Sequence, residues 1–153
     1  MIQYAKTMKT VIIIRTFNES RWIAYCLKAL KTQDYTGQIQ VIIVDSGSTD
    51  NTLDIARHID PEIIILSPED SNYLPGKFIN YGIAVADKDA DFIVILSAHC
   101  VPTSSDWLSK MVFSICQDEQ IAGVFCKQIP SRSTNYENKR DLVNGFGDET
   151  HIK

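Results

Sequence analysis

Apolar residues along this chain come in two alternating kinds of stretch. Residues 11–14, 41–44, 63–66, 92–96 and 121–126 are short runs with almost no polar interruption, rich in Val, Ile, Leu and Phe. Such runs predict strands buried on both faces. Between them the apolar positions recur with helical spacing. Trp22, Ile23, Cys26, Leu27 and Leu30 share one helix face, as do Phe78, Ile79, Gly82, Ile83 and Ala86, and again Trp107, Leu108, Met111, Val112 and Ile115. A shorter helix over residues 51–58 turns Leu53 and Ala56 inward. Residues 102–105 predict a turn and an N-cap, with Asp106 suited to the positive end of the helix that follows. The order βαβαβαβαβ predicts an α/β fold, a parallel or mostly parallel sheet with helices on both faces.

Beyond Ile129 the pattern weakens. Residues 131–153 are polar and rich in Asn, Asp, Arg and Gly, which predicts an irregular or partly helical tail. The domain organisation expected is therefore an α/β domain over residues 1–130 and a polar tail over 131–153. Residues 67–75 form a polar segment with Pro68 and Pro75 near its ends, which predicts a mobile or ligand-facing loop.

Composition narrows the function classes. The 153 residues suffice for one domain with a real core, at 44% hydrophobic and 22% charged. A net charge of −4 argues against nonspecific nucleic-acid binding. No apolar run approaches the roughly 20 residues that span a bilayer, and residues 1–10 do not read as a signal peptide. A cytoplasmic protein is expected. Cys26, Cys100, Cys116 and Cys126 form no CxxC pair and have no His at zinc-finger spacing. They read as buried free thiols of a reducing compartment.

Candidate chemistry collects at the strand ends. In an open parallel sheet, ligands bind beyond the carboxyl ends of the strands. Polar residues stand there four times: Arg15-Thr16-Phe17-Asn18-Glu19, Asp45-Ser46, Ser67-Pro68-Glu69-Asp70 and Ser97-Ala98-His99-Cys100. The helix start at Gly76-Lys77 can reach the same edge. Asp45 either orders its own turn or meets a ligand, and Thr16 or Asn18 either caps the first helix or joins the site. No GxGxxG, GxxxxGK[ST] or GxSxG is present, so the dinucleotide fingerprint, the P-loop and the nucleophile elbow are absent. What remains suits a nucleotide. Phe17 can pack on a base, Asp45 can accept a base N–H, and Lys77 with a helix N-terminus can face phosphates.

Residues 11–19 (VIIIRTFNE), 44–50 (VDSGSTD) and 75–83 (PGKFINYGI) resemble, in order and spacing, the family 2 glycosyltransferases. The likeness covers residues 9–148. Residues 126–130 (CKQIP), Arg140-Asp141-Leu142 and Phe146-Gly147 are similar to the rhamnosyltransferase-like branch. The resemblance implies a GT-A type fold that holds a nucleotide-diphospho-sugar donor and transfers its sugar to a polysaccharide, lipopolysaccharide or lipid-linked acceptor. It implies that Thr16, Phe17, Asn18 and Glu19 line the nucleoside pocket, that Asp45, with Ser46, contacts the base, and that Lys77 and Asn80 lie near the diphosphate or sugar. It places Ser97, Ala98 and His99 where the family has an Asp-x-Asp motif that binds metal and donor.

Both acids of that motif are missing. An acid pair holds Mg²⁺ or Mn²⁺ through oxygen ligands. Ser97 is a poor substitute, whereas His99 as a neutral imidazole is a candidate Mn²⁺ ligand. The family's catalytic base lies in a segment well beyond the fifth strand, past Lys153; Asp141, Asp148 and Glu149 stand too early to match it, so no catalytic residue is assigned. The chain is expected to be the donor-binding part of a transferase, working in the cytoplasm or peripherally at the inner membrane face, with a homo-oligomer or a separate C-terminal partner left open. The alternatives are a non-catalytic nucleotide-sugar-binding module and a phosphoacceptor receiver-like domain. The second lacks support, because Arg15-Thr16 stand where an acidic pair would be needed.

Overall fold

β1 (Lys9–Thr16) lies inside the sheet, between β2 (Gln38–Asp45) and β4 (Phe92–Ser97), and β3 (Ile64–Leu66) closes the far edge beside β2, in the order β3-β2-β1-β4. The computed structural model describes residues 8–69, 73–132 and 134–145. Every strand pair is parallel. The chain steps outward from β1 to β2 to β3 through α1 (Ile23–Lys31) and α2 (Thr52–Ile59). It then returns through α3 (Pro75–Val85) to the other side of β1. Parallel crossovers are right-handed, so the reversal puts α1 and α2 on one face and α3 on the other. This is the parallel α/β architecture that the pattern of runs predicted.

Burial on both faces explains the all-apolar runs of β1 and β2. The outer strands depart from the expected full burial: Ile93 and Ile95 of β4 and Ile64 of β3 are exposed, because each of these strands has a neighbour on one side only among the described residues. Val11 and Ile13 cluster with Ile42, Val44 and Phe78 under α3. Ile12, Ile14 and Ile43 alternate to the opposite face and are wholly buried too, as are Ile23 and Cys26 of α1 and Ala56 of α2. Gly82 lets α3 approach β1 closely: a Cβ there would stand 2.7 Å from Ile13 Cγ2. The amino-terminal edge is tied by side chains. Tyr35 Oη donates to the Met8 carbonyl at 3.0 Å, the Lys9 N–H donates to Asp91 at 2.7 Å, and Lys9 Nζ pairs with Asp87. At the other edge the register sets Arg15 between Val44 and Ser97, with Thr16 beside Asp45.

Contact clustering divides the chain into two compact units, Met1–Ser109 and Lys110–Lys153. The first holds the sheet and the start of α4 (Trp107–Ile115), where Gln33 accepts from the Leu108 N–H at 3.0 Å. The second contains the end of α4 and α5 (Tyr136–Gly145), the partly helical tail. Asn135 caps α5 by accepting from the Asn138 N–H at 2.8 Å.

Three further expectations are corrected. Residues 121–126 form no strand, and Phe125 is 78% exposed. An apolar run becomes a strand only when a neighbouring segment pairs with it along a ladder; here the Ile121 N–H turns back to the Asp118 carbonyl at 3.0 Å instead. Ile83 of α3 is exposed, because Phe78 and Gly82 already fill that helix's contact with the sheet. Of the cysteines only Cys26 is buried; Cys116 and Cys126 are exposed and Cys100 is intermediate, all without disulfides. Burial pushes the Cys26 thiol up to about 12, with Cys100 adding to the shift.

Phe78 is 1% exposed and stacks against Tyr73 at 5.0 Å and Tyr81 at 5.8 Å. Phe78→Ala is expected to cost about 3–5 kcal/mol in chemical denaturation. A loss typical of a surface site would mean that α3 presents a different face.

Candidate functional site

Where β1, β2 and β4 end level, their following residues enclose a cavity of about 380 Å³. That is within the range of small-molecule sites. Its described lining is Arg15, Thr16, Phe17 and Glu19 after β1, Ser46 after β2, Ser97 and His99 after β4, and Tyr73 ahead of α3. Phe17 stands 56% exposed, an unusual position for a large aromatic with no structural task.

The mouth is held by hydrogen bonds between two loops. The Thr16 carbonyl accepts from the Ser46 N–H at 3.0 Å and from its hydroxyl at 3.1 Å. Asn18 adopts the left-handed conformation with φ 52, which Asn tolerates better than most residues. There its N–H donates to Ser48 Oγ at 2.8 Å, and its Oδ1 accepts from the Thr49 N–H at 2.8 Å. One residue on, the Glu19 N–H donates to Thr52 Oγ1 at 2.8 Å, and the Ser20 N–H donates to Asp50 at 3.1 Å. Asp50 also accepts from the hydroxyl and N–H of Thr52. The Thr52 hydroxyl first, then Ser20, holds the Asp50 carboxyl down at about 2. Thr52 is therefore buried at the start of α2, with Leu53 only half-buried.

Several predicted site residues serve this scaffold instead of lining the cavity. Asp45 is 1% exposed, and its carboxylate accepts from the Gly47 N–H at 3.0 Å, the Ser48 N–H at 2.9 Å and Ser48 Oγ at 2.5 Å. It is a turn-former here, because its own loop supplies donors within three residues. Asn18 is likewise spent on the loop, and neither it nor Thr16 caps α1, whose N-cap is Trp22 without a side-chain bond. Ala98 is buried; its N–H extends the ladder to the Arg15 carbonyl at 3.0 Å. Lys77 and Asn80 are exposed on α3 and do not line the cavity, since Phe78 and Gly82 take the face toward the sheet. Ser67, Pro68 and Glu69 follow the distant edge strand and are absent from the lining too. Asp70, Phe146, Gly147, Asp148 and Glu149 lie outside the described residues.

Two lining residues were given no role from the sequence, although Arg15 stood among the strand-end residues and Tyr73 in the ligand-facing loop. Arg15 reaches across β4: its Nη2 donates to Ser97 Oγ at 3.1 Å and its Nη1 to Tyr73 Oη at 3.4 Å. The signal was a cation at the first polar position after a buried run. Tyr73 had no signal of its own; its contact with Phe78 places it. Thr16 Oγ1 and Arg15 Nε are buried without a hydrogen-bond partner.

His99 departs from the expected neutral ligand. Its Nδ1 is 2.7 Å from Glu19 Oε1. The adjacent Cys100 side chain first, then Glu19, pushes its pKa up to about 9, against the opposing effect of burial. A ring that keeps its proton at neutral pH has no lone pair for a metal. Among the described residues no group of three or more His, Cys, Asp or Glu side chains is placed to hold a metal ion.

The family model for Glycosyl transferase family 2 matches residues 11–151. An O-antigen chain rhamnosyltransferase of Salmonella anatum is 30% identical over 144 residues, 93% of this chain and 44% of that protein. Another from Salmonella typhimurium is 30% identical over 128 residues, 84% of this chain and 40% of that protein. The chain thus spans less than half the length of these curated relatives. Among solved structures, a mannosyltransferase of Pyrobaculum calidifontis, in complex with GDP-Man and Mn²⁺, has the same fold. Its TM-score is 0.69 at 24% identity, over 90% of this chain and 38% of that one.

The His99–Glu19 contact predicts a pH signature. A His pKa raised from 6.5 to about 9 contributes stability that is fully present below 6.5 and is lost as pH rises through about 9. The His99 imidazole NMR signals are expected to titrate near 9, and lower in Cys100→Ala, which removes the largest contribution, and to a smaller extent in Glu19→Gln. A midpoint at or below 6.5 in the unaltered chain would break the pairing.

Proposed function

This chain belongs to glycosyl transferase family 2, and on that premise we propose that it is the donor-binding part of a transferase that moves a sugar from a nucleotide-diphospho-sugar to a polysaccharide or lipopolysaccharide acceptor. One observation carries the proposal: three parallel strand ends enclose a single cavity that joins an exposed aromatic to a cation. Phe17 offers its face to a base. Arg15, in the same cavity, offers N–H donors to phosphate oxygens. Thr16, Glu19, Ser46 and Ser97 supply the polar groups between them. Asp45 and Asn18 act one step back, by fixing the turn that carries Ser46. Lys77 and Asn80 are left out of the donor site, since neither lines the cavity.

The names of the Salmonella relatives make a nucleoside-diphosphate rhamnose the first donor to test. No helix among the described residues is long and apolar enough to cross a membrane. With a lipid-linked acceptor, the protein would work peripherally at the cytoplasmic membrane face. No catalytic base is assigned, because the one carboxylate in the described lining, Glu19, is held by His99.

Ser97 and His99, in place of two acids, favour a second reading: a nucleotide-sugar-binding module without transfer. Release of nucleoside diphosphate from the rhamnosyl donor separates the two. Turnover supports a transferase, and binding without release supports the module.

Calorimetry with UDP, dTDP and GDP tests the shared premise. At least one is expected to bind, and Phe17→Ala should weaken it by about 1–3 kcal/mol, the usual worth of a base stacked on an aromatic. No binding of any of the three, or a Phe17→Ala chain that binds as tightly as the original, would remove the donor site from this cavity.

A further inference from the structure

We infer that Arg15 takes the place of a divalent cation at the donor: the diphosphate is bound by a fixed guanidinium instead of by a carboxylate-held metal ion. The inference rests on the donor-binding proposal above and specifies its charge chemistry.

The residues at the end of β4 do not fit Mg²⁺ or Mn²⁺. Hard divalent cations need anionic oxygen ligands, and Ser97 supplies only a hydroxyl. That hydroxyl already accepts from Arg15 Nη2 at 3.1 Å. A metal bound at Ser97 would therefore sit against a guanidinium that stays protonated at any working pH and repels it. Glu19, the carboxylate of the described lining, is engaged at 2.7 Å by His99.

The same geometry suits an anion. Arg15 is half-buried, and no carboxylate among the described residues pairs with it. Among the described residues its Nη1 and Nη2 meet neutral hydroxyls, and its buried Nε has no hydrogen-bond partner. A partly buried charge without a counter-ion is costly, so the site is completed by an anion supplied from outside. A guanidinium presents N–H donors in a rigid fork that matches phosphate oxygens two at a time. Arg15 is also pre-positioned: its backbone lies in the ladder between Val44 and Ser97, and Tyr73, stacked on Phe78, meets the far end of its side chain. In the cavity lining, Arg15 is the charge left unmatched once His99 and Glu19 pair.

Calorimetry on the full 153-residue chain tests this. UDP, dTDP and GDP are titrated in EDTA and again in millimolar Mn²⁺, and the matching nucleoside is titrated alongside. The diphosphate that binds is expected to do so with affinities within about twofold in the two conditions. Arg15→Met should lower that affinity by about 10- to 100-fold, in the range of lost charge-assisted hydrogen bonds, while the nucleoside binds as before. Arg15→Lys, a point charge without the fork, should recover part of the loss. Binding that needs Mn²⁺ and disappears in EDTA would overturn the inference and leave the donor site standing. So would an Arg15→Met chain that binds the diphosphate normally. If Arg15→Met fails to fold by circular dichroism, the EDTA comparison on the unaltered chain decides alone. If no nucleoside diphosphate binds in either condition, the donor-binding proposal falls, and this one with it.

Discussion

The site depends on the complete burial of β1. Val11 to Ile14 have no exposure on either face, so no polar side chain is tolerated along that stretch. The first residue that can carry a charge is Arg15, which the parallel register holds beside Ser97 at the carboxyl edge. Because β1 has a strand on each side, its end lies in the middle of that edge, with the ends of β2 and β4 beside it. The loops after all three open into one space. β3 does not neighbour β1 but lies beyond β2, so Ser67, Pro68 and Glu69 fall outside that space.

The second layer of organisation is the clamp between the loop after β1 and the loop after β2. Thr16, Asn18, Glu19 and Ser20 each bond across to Ser46, Ser48, Thr49, Asp50 or Thr52. Most of these bonds involve a backbone N–H whose alternative partner is water, so each contributes modestly. Together they fix two loops that would otherwise move independently, and they hold Phe17 and Ser46 at the cavity without ligand. Asp45 and Asp50 support this clamp with short side-chain contacts inside their own turn.

Charge separates this member from the family pattern. An acid pair at the end of β4 would make a cation site. Here Arg15 meets Ser97 and His99 meets Glu19 in the same place, and the anion site proposed above rests on that arrangement. The fold is shared with a mannosyltransferase whose structure contains Mn²⁺ with its donor, yet likeness of backbone at 24% identity says nothing about which side chains meet the phosphates. Those are set by a few strand-end residues on a common sheet.

By itself the sequence determined four of its five expected strands, the full burial of two of them, the helices between them and the edge of the sheet where polar residues gather. These follow from local rules: apolar runs with period two or none make buried strands, and helical spacing makes faces. It also placed Thr16, Phe17, Glu19, Ser46, Ser97 and His99 at one edge, since each lies at or just beyond the carboxyl end of β1, β2 or β4. Only tertiary structure decided what each polar residue does there. Asp45 and Asn18 look like ligand contacts in a motif, but donors of its own loop bind Asp45 and donors of the neighbouring loop bind Asn18. Arg15 reads as a strand-end cation until Ser97 and Tyr73 are brought against it from more than fifty residues away in sequence. The 121–126 run fails as a strand because pairing is a property of two segments, and its partner cannot be read from one. A hydrogen bond goes to whichever partner the folded chain brings within about 3 Å, and that choice is made across the fold rather than along the sequence.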